Sequence, residues 1–325
     1  MQWNSLIILA LYARVAVSQN MLRFACSQLS VERLDPIGNP GLEPSTHLHQ
    51  IAGGNSFNAS TDANAHDTVS LSSCTSCTFS EDFSNYWTAV LWQIKDLPSK
   101  EVYYIPPYDG KTKVTVFKPG FRMLVGDPMI RSSSAAPKGI CHRCFGKNQQ
   151  PFGGAPCTGA DTSNLPNGTC LGGIRETIMF PTCWDGKNLD SPDHRTHIAY
   201  PSSGTFESGG PCPATHPVKL PQVMFEVMWD TSQFNDKSIW PADGSQPFVY
   251  SMGDGTGYGN HGDYLFGWKG DSLQKAMDAR CNLDKCAQTP SQSAANSIKC
   301  QKAQTVKEPV DGWLATLPGN VPLTT

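Results

Sequence analysis

Short runs in which apolar and polar residues alternate, broken by proline and glycine, make up most of this chain. The clearest is VKLPQVMFEVMWD, from Val218 to Asp230. In an extended segment Val223, Phe225 and Val227 fall on one face, and Gln222, Met224, Glu226 and Met228 on the other. The second half of EDFSNYWTAVLW, ending at Trp92, has the aromatic and β-branched content of a strand. Val102 to Ile105, Lys113 to Phe117, Phe121 to Val125 and Phe248 to Met252 read the same way, with Pro106-Pro107, Asp109-Gly110 and Pro119-Gly120 as turns. Closely spaced strands with such dipeptides between them predict a mainly β fold, an antiparallel β-sandwich or jelly roll with long loops. One helix stands out near the C-terminus: DSLQKAMDAR, with Asp271 or Ser272 as N-cap and Leu273, Ala276 and Met277 at helical spacing.

Composition supports that pattern. Among 325 residues there are 29 glycines and 25 prolines, with only 16% charged, which argues against a helical bundle. The net charge of -3 supplies no basic field, so nucleic acid is not an expected partner. Leu6 to Val17 is an apolar run closed by small residues at Ala16-Val17-Ser18; residues 1–18 read as a signal peptide and 19–325 as a single secreted domain. No later stretch is long enough to span a bilayer, so a soluble extracellular monomer without a membrane partner is expected. Asn58 and Asn167 head N-glycosylation sequons.

Twelve cysteines in a secreted chain read as six disulfides. The CxxC pairs Cys74/Cys77 and Cys141/Cys144 also fit a four-cysteine zinc site or redox pairs, but an oxidising compartment and their distance in sequence favour disulfides. Connectivity stays open, with Cys281, Cys286 and Cys300 expected to staple the C-terminal region locally or to the body.

The densest chemistry lies between Pro181 and His216, a Pro- and Gly-rich segment expected to be a loop fastened by Cys183 and Cys212. It carries Asp193, His194, Arg195 and His197, with His216 at its end. Elsewhere His47 and His49 alternate with Leu48, so an extended segment puts both imidazoles on one face. His261 and Asp263 share a side in the same way, after the glycine-dense turn that holds Tyr258. Asp82, Tyr86 and Trp87 suit a sugar cleft, although Trp87 and Trp92 suit a core equally well. Glu226 is either solvent-facing or desolvated in mid-strand. His142 reads as a loop residue beside a disulfide.

Several strings, among them ERLDPI, HLHQIAGGNSF, FKPGFRMLVGDPMIR, DSPDHRTHIAYP, CPATHPVKLPQVMFEVMWDT and GDGTGYGNHGDYLFGW, together resemble the fungal secreted domain of unknown function DUF1996, over about Met21 to Cys281. The resemblance implies a secreted protein, sometimes found beside a WSC carbohydrate-binding domain, with no assigned activity. It directs attention to cell-wall or plant polysaccharide as partner.

Three functions follow. The first is polysaccharide cleavage, with Asp82, Asp193, Glu226 and Asp263 as candidate acids, bases or nucleophiles, and Trp87, Tyr258, His47 and His49 as glycan contacts. Glycoside hydrolysis ranks ahead of a lyase version in which His194 or His197 abstracts a proton and Arg195 neutralises a uronate, with His261 a further catalytic candidate. The second is a zinc or copper site on His47, His49 and one of His194, His197 or His261. The third is non-catalytic glycan binding. All but the last require imidazoles and acids far apart in sequence to converge.

Overall fold

Alternation along the strands builds two five-stranded antiparallel sheets that pack face to face. The computed structural model describes residues 20–62, 66–92, 99–107, 111–149, 156–203, 210–310 and 312–324; the predicted leader at 1–18 and the Asp109-Gly110 turn lie outside them. The strands are β1 Leu22–Cys26, β2 Ser30–Glu32, β3 His49–Gly53, β4 Asn85–Ala89, β5 Leu91–Trp92, β6 Ser99–Ile105, β7 Arg122–Gly126, β8 Ile140–Cys144, β9 Ile174–Met179, β10 Cys183–Trp184, β11 Ile198–Ala199, β12 Val218–Lys219, β13 Gln222–Trp229, β14 Val249–Tyr250 and β15 His261–Leu265. The first sheet has the order β1-β6-β13-β9-β8 and the second β2-β3-β4-β15-β7. Their pairings are antiparallel. The mainly β sandwich expected from the alternation is therefore what forms.

Val223, Phe225 and Val227 of β13 are fully buried between the sheets, where the Phe225 ring meets Tyr86 of β4 edge-on at 5.6 Å. A polar layer crosses the same core. The Glu176 carboxylate of β9 accepts from Trp229 Nε1, Tyr250 Oη and Thr88 Oγ1, each at 2.9 Å. Lys100 Nζ donates across the sandwich to the carbonyls of Gln50 and Tyr86 at 3.4 Å. Burial pulls the Lys100 ammonium down to about 7 and raises the Glu176 carboxyl. Because each of these groups is hydrogen-bonded, the layer fixes how the sheets sit over one another.

Three segments differ from the sequence reading. Lys113 to Phe117 is irregular, not a strand, because its backbone groups are used singly: Thr115 N donates to Lys219 O and Val116 N to Gln274 Oε1. His142 is not in a loop; it lies in β8, fully buried, with Nε2 2.8 Å from Tyr250 Oη. The C-terminal helix, α2 in this order after a short α1 at Thr68–Leu71, spans Ser272–Asp278, but the Asp271 side chain makes no capping bond.

All twelve cysteines are paired: Cys26–Cys77, Cys74–Cys300, Cys141–Cys157, Cys144–Cys170, Cys183–Cys212 and Cys281–Cys286. Both CxxC motifs thus divide between separate disulfides, and neither holds zinc. No helix among the described residues is long and apolar enough to cross a membrane. Since Phe225 fills the space between the sheets, Phe225→Ala should cost about 3–5 kcal/mol in urea unfolding with the disulfides intact; a loss below about 1 kcal/mol would show that the two sheets are held by something else.

Candidate metal centre

Register across three strands of the second sheet places two of the histidines. His49 of β3 pairs with Ala89 of β4. On the other side of β4, Gly262 of β15 pairs with Thr88, so one step along the same register His261 also comes level with Ala89. Residues level with one another point to the same side. The small Ala89 side chain therefore lies between two imidazoles on the outer face of the sheet, leaving the space above it for their rings. His47, two residues before the strand, adds the third ring.

The three rings converge. His47 Nε2 lies 3.1 Å and His49 Nε2 3.2 Å from His261 Nε2, and the ring centroids of His47 and His49 are 4.3 Å apart. Each ring is also held by its other nitrogen: His49 Nδ1 donates to Leu34 O at 3.0 Å, His261 Nδ1 donates to Gly259 O at 3.2 Å, and His47 Nδ1 is 2.9 Å from Thr46 Oγ1. The His261 backbone is fixed as well, with its N–H bonded to Asn260 Oδ1 and its carbonyl 2.6 Å from Thr88 Oγ1. A turn at Leu34–Gly38 closes over the site. Its Asp35 carboxylate accepts from the backbone N–H of Ile37 and Gly38 and from Trp87 Nε1. A Cβ at position 38 would lie 2.4 Å from Asp35 Oδ2, so any larger residue there would displace the carboxylate.

The bonds to Leu34 O and Gly259 O fix the tautomers, because a carbonyl can only accept. His49 and His261, when neutral, each carry their proton on Nδ1 and present a bare Nε2 to the other at 3.2 Å. Two lone pairs repel at that distance unless a cation lies between them. A proton is disfavoured: burial first, then the neighbouring imidazoles, push His47 and His49 well below the usual histidine range, and burial lowers His261. A metal ion satisfies all three. Zinc bonded to imidazole nitrogens at 2.0–2.1 Å in tetrahedral geometry sets those nitrogens about 3.3 Å apart, close to the distances found.

The other candidates lie elsewhere. Asp82 is fully buried, takes a 2.6 Å hydrogen bond from Tyr86 Oη, joins a tyrosine chain through Tyr104 to Tyr264, and is pushed up to about 7 by burial. Glu226 is on the outer face of the first sheet, buried, paired with Arg175 Nη1 at 2.9 Å and bonded by Tyr103 Oη. Asp193 is exposed and organises its own turn, accepting from Ser191 Oγ and from the backbone N–H of Arg195 and Thr196. His194 bonds Asp190 at 2.7 Å, and His197 spans Ser191 Oγ and Arg122 O; neither joins the three-histidine group. His216 bonds Thr196 O. Trp87 is core, edge-on to Phe57 at 5.1 Å, and Tyr258 is half-buried in the glycine-rich turn. Asp263 and Arg195 do belong near the centre. Asp263 is on the His261 strand and fully buried, and the Arg195 guanidinium acts electrostatically on both.

Residues 35–268 match the family model described as Domain of unknown function (DUF1996). The chain belongs to the DUF1996 family. The matched DUF1996 span contains Asp35, His47, His49 and His261 together with most of both sheets, whereas α2 and Cys300 lie beyond it. Comparison with curated proteins and with solved structures gives no match.

Sequence reasoning missed Asp35 and the enclosing turn. The string ERLDPIGNP announces a turn but gives no sign that it returns over a strand edge. The lowered pKa values set a pH dependence. Well above pH 6.5 the three rings are neutral whether folded or unfolded; as pH falls through that value the unfolded chain takes up protons that the folded chain refuses, so stability is lost toward the folded values. In metal-free protein His49→Gln should flatten that acid decline by up to about 1.4 kcal/mol per pH unit. Parallel urea-midpoint profiles of wild type and variant between pH 7.5 and 5 would contradict it.

Proposed function

We propose that this protein is an extracellular metalloprotein that holds one zinc or copper ion on Nε2 of His47, His49 and His261. The observation that carries this reading is the pair of bare Nε2 atoms 3.2 Å apart, each made bare by an Nδ1–H bond to a backbone carbonyl. Three imidazoles are a ligand set that both metals accept, and they leave a fourth position open for water or a substrate oxygen. An ion there supplies Lewis-acid chemistry, or oxygen chemistry in the case of copper. The chain's own part is to hold the three rings in register, keep them unprotonated by burial and keep bulk water out. Six disulfides support an oxidising, extracellular setting.

With His47, His49 and His261 themselves 0–3% exposed, the centre suits a small ligand on the ion rather than a polysaccharide chain, and cleavage through a carboxylate pair is no better placed. A glycosidic bond must lie between two accessible carboxyl groups, whereas Asp82, Glu226 and Asp263 are 0–1% exposed.

Elemental analysis of protein purified without chelator should find close to one equivalent of zinc or copper, and His49→Ala or His261→Ala should fall below about a tenth of an equivalent. At free metal one hundred times Kd, binding should stabilise the wild type by about 2.7 kcal/mol and leave either variant unmoved. Wild-type protein that takes up neither ion after dialysis against each refutes the reading.

A further inference from the structure

Among the described residues, Asp263 is the carboxylate for which both side-chain oxygens are buried without a hydrogen-bond partner. Such a group costs on the order of a few kcal/mol unless something donates to it. It projects from the same face of β15 as His261, two residues further on, and is level with Trp87 across β4. Arg195 Nε is a second buried atom without a partner, although the same guanidinium is tied by Nη2 to Gly126 O. The Arg195 charge acts on both His261 and Asp263, and the Asp35 charge acts on His47, His261 and Asp263. An unused acceptor pair and an unused donor thus lie within electrostatic reach of the same histidine centre. Neither joins the close group of ligand atoms, which holds the three imidazoles alone.

What is missing is one small molecule with hydrogens to give and a lone pair to receive. Water on the fourth position of a three-imidazole ion has both. We propose that Asp263 is a positioning residue of the metal centre: it accepts a hydrogen bond from a water molecule held at the ion's open position, and the Arg195 Nε–H donates to the same oxygen. Three neutral imidazoles leave a divalent ion's two positive charges uncompensated in a buried site, and the Asp35 carboxylate of the enclosing turn helps to offset them. This inference rests on the metal reading given above.

Cobalt(II) is a suitable probe because its visible bands report coordination. Wild type, Asp263→Asn and Asp263→Glu are titrated with cobalt against a competing chelator, and their thermal midpoints are read with cobalt and with EDTA. The expected result is one cobalt per chain in each, bound about 10- to 100-fold more weakly by Asp263→Asn, with shifted visible bands and partial recovery in Asp263→Glu. In EDTA the Asn variant should melt no lower than the wild type, since an unpartnered buried carboxyl has been removed, and cobalt should raise its midpoint less. Equal affinities with superimposable spectra overturn the role of Asp263 and leave the metal centre standing. An Asn variant that melts well below the wild type in EDTA makes Asp263 a structural residue and also overturns it. No uptake of cobalt, zinc or copper by the wild type overturns both.

Discussion

Two imidazole nitrogens with nothing but lone pairs between them, 3.2 Å apart and shut away from water, set the constraint that the rest of this molecule answers to. Neither ring can rotate out of the conflict, because each is pinned at its far nitrogen by a backbone carbonyl. Protonation would relieve it at the expense of a buried charge. The arrangement makes chemical sense as a site prepared for a cation, with the ordering entropy already settled by the fold.

The scaffold supplies that preparation from behind. Thr88, next to Ala89 on the central strand, points the other way into the sandwich, where its hydroxyl lies within bonding distance of both the His261 carbonyl and the Glu176 carboxylate. The same strand thus spaces the two rings on its outer side and joins their support to the polar layer on its inner side. A one-residue slip of β15 against β4 would turn His261 into the core and Gly262 outward, so strand register is as much a part of the site as the ligands are.

The strands were legible because their alternation has period two, and the pairing of His47 with His49 and of His261 with Asp263 followed from that period alone. Where Cβ direction decides the outcome, one sequence suffices. What the sequence does not encode locally is strand order: nothing in HLHQ or NHGD says that these segments flank the same central strand, since that depends on which edges pair across more than two hundred residues. For the same reason the attraction of DSPDHRTH was misleading. Its residues are chemically rich, yet Asp193 spends that chemistry on Ser191 Oγ and the backbone N–H groups of Arg195 and Thr196, and Asp190 on the Ser191 N–H and His194, as turn-forming acids do. Glu226 is not solvent-facing: it is buried and paired with an arginine on a neighbouring strand that no periodicity could assign to it.

The Cys74–Cys300 disulfide joins residues 226 apart, and the segment after Cys300 runs along β2 and the approach to the histidine turn: Lys302 N donates to Leu29 O, Gln304 Nε2 to Val31 O, and Glu308 pairs with Arg33 at 2.7 Å. Ribosomal synthesis therefore imposes a schedule. Every ligand of the centre has been made before Cys300 exists, and Cys74 waits until then for its partner. Folding of the protein is divided into a period when the covering along β2 is still missing and a later one when the Cys74–Cys300 bond has sealed it.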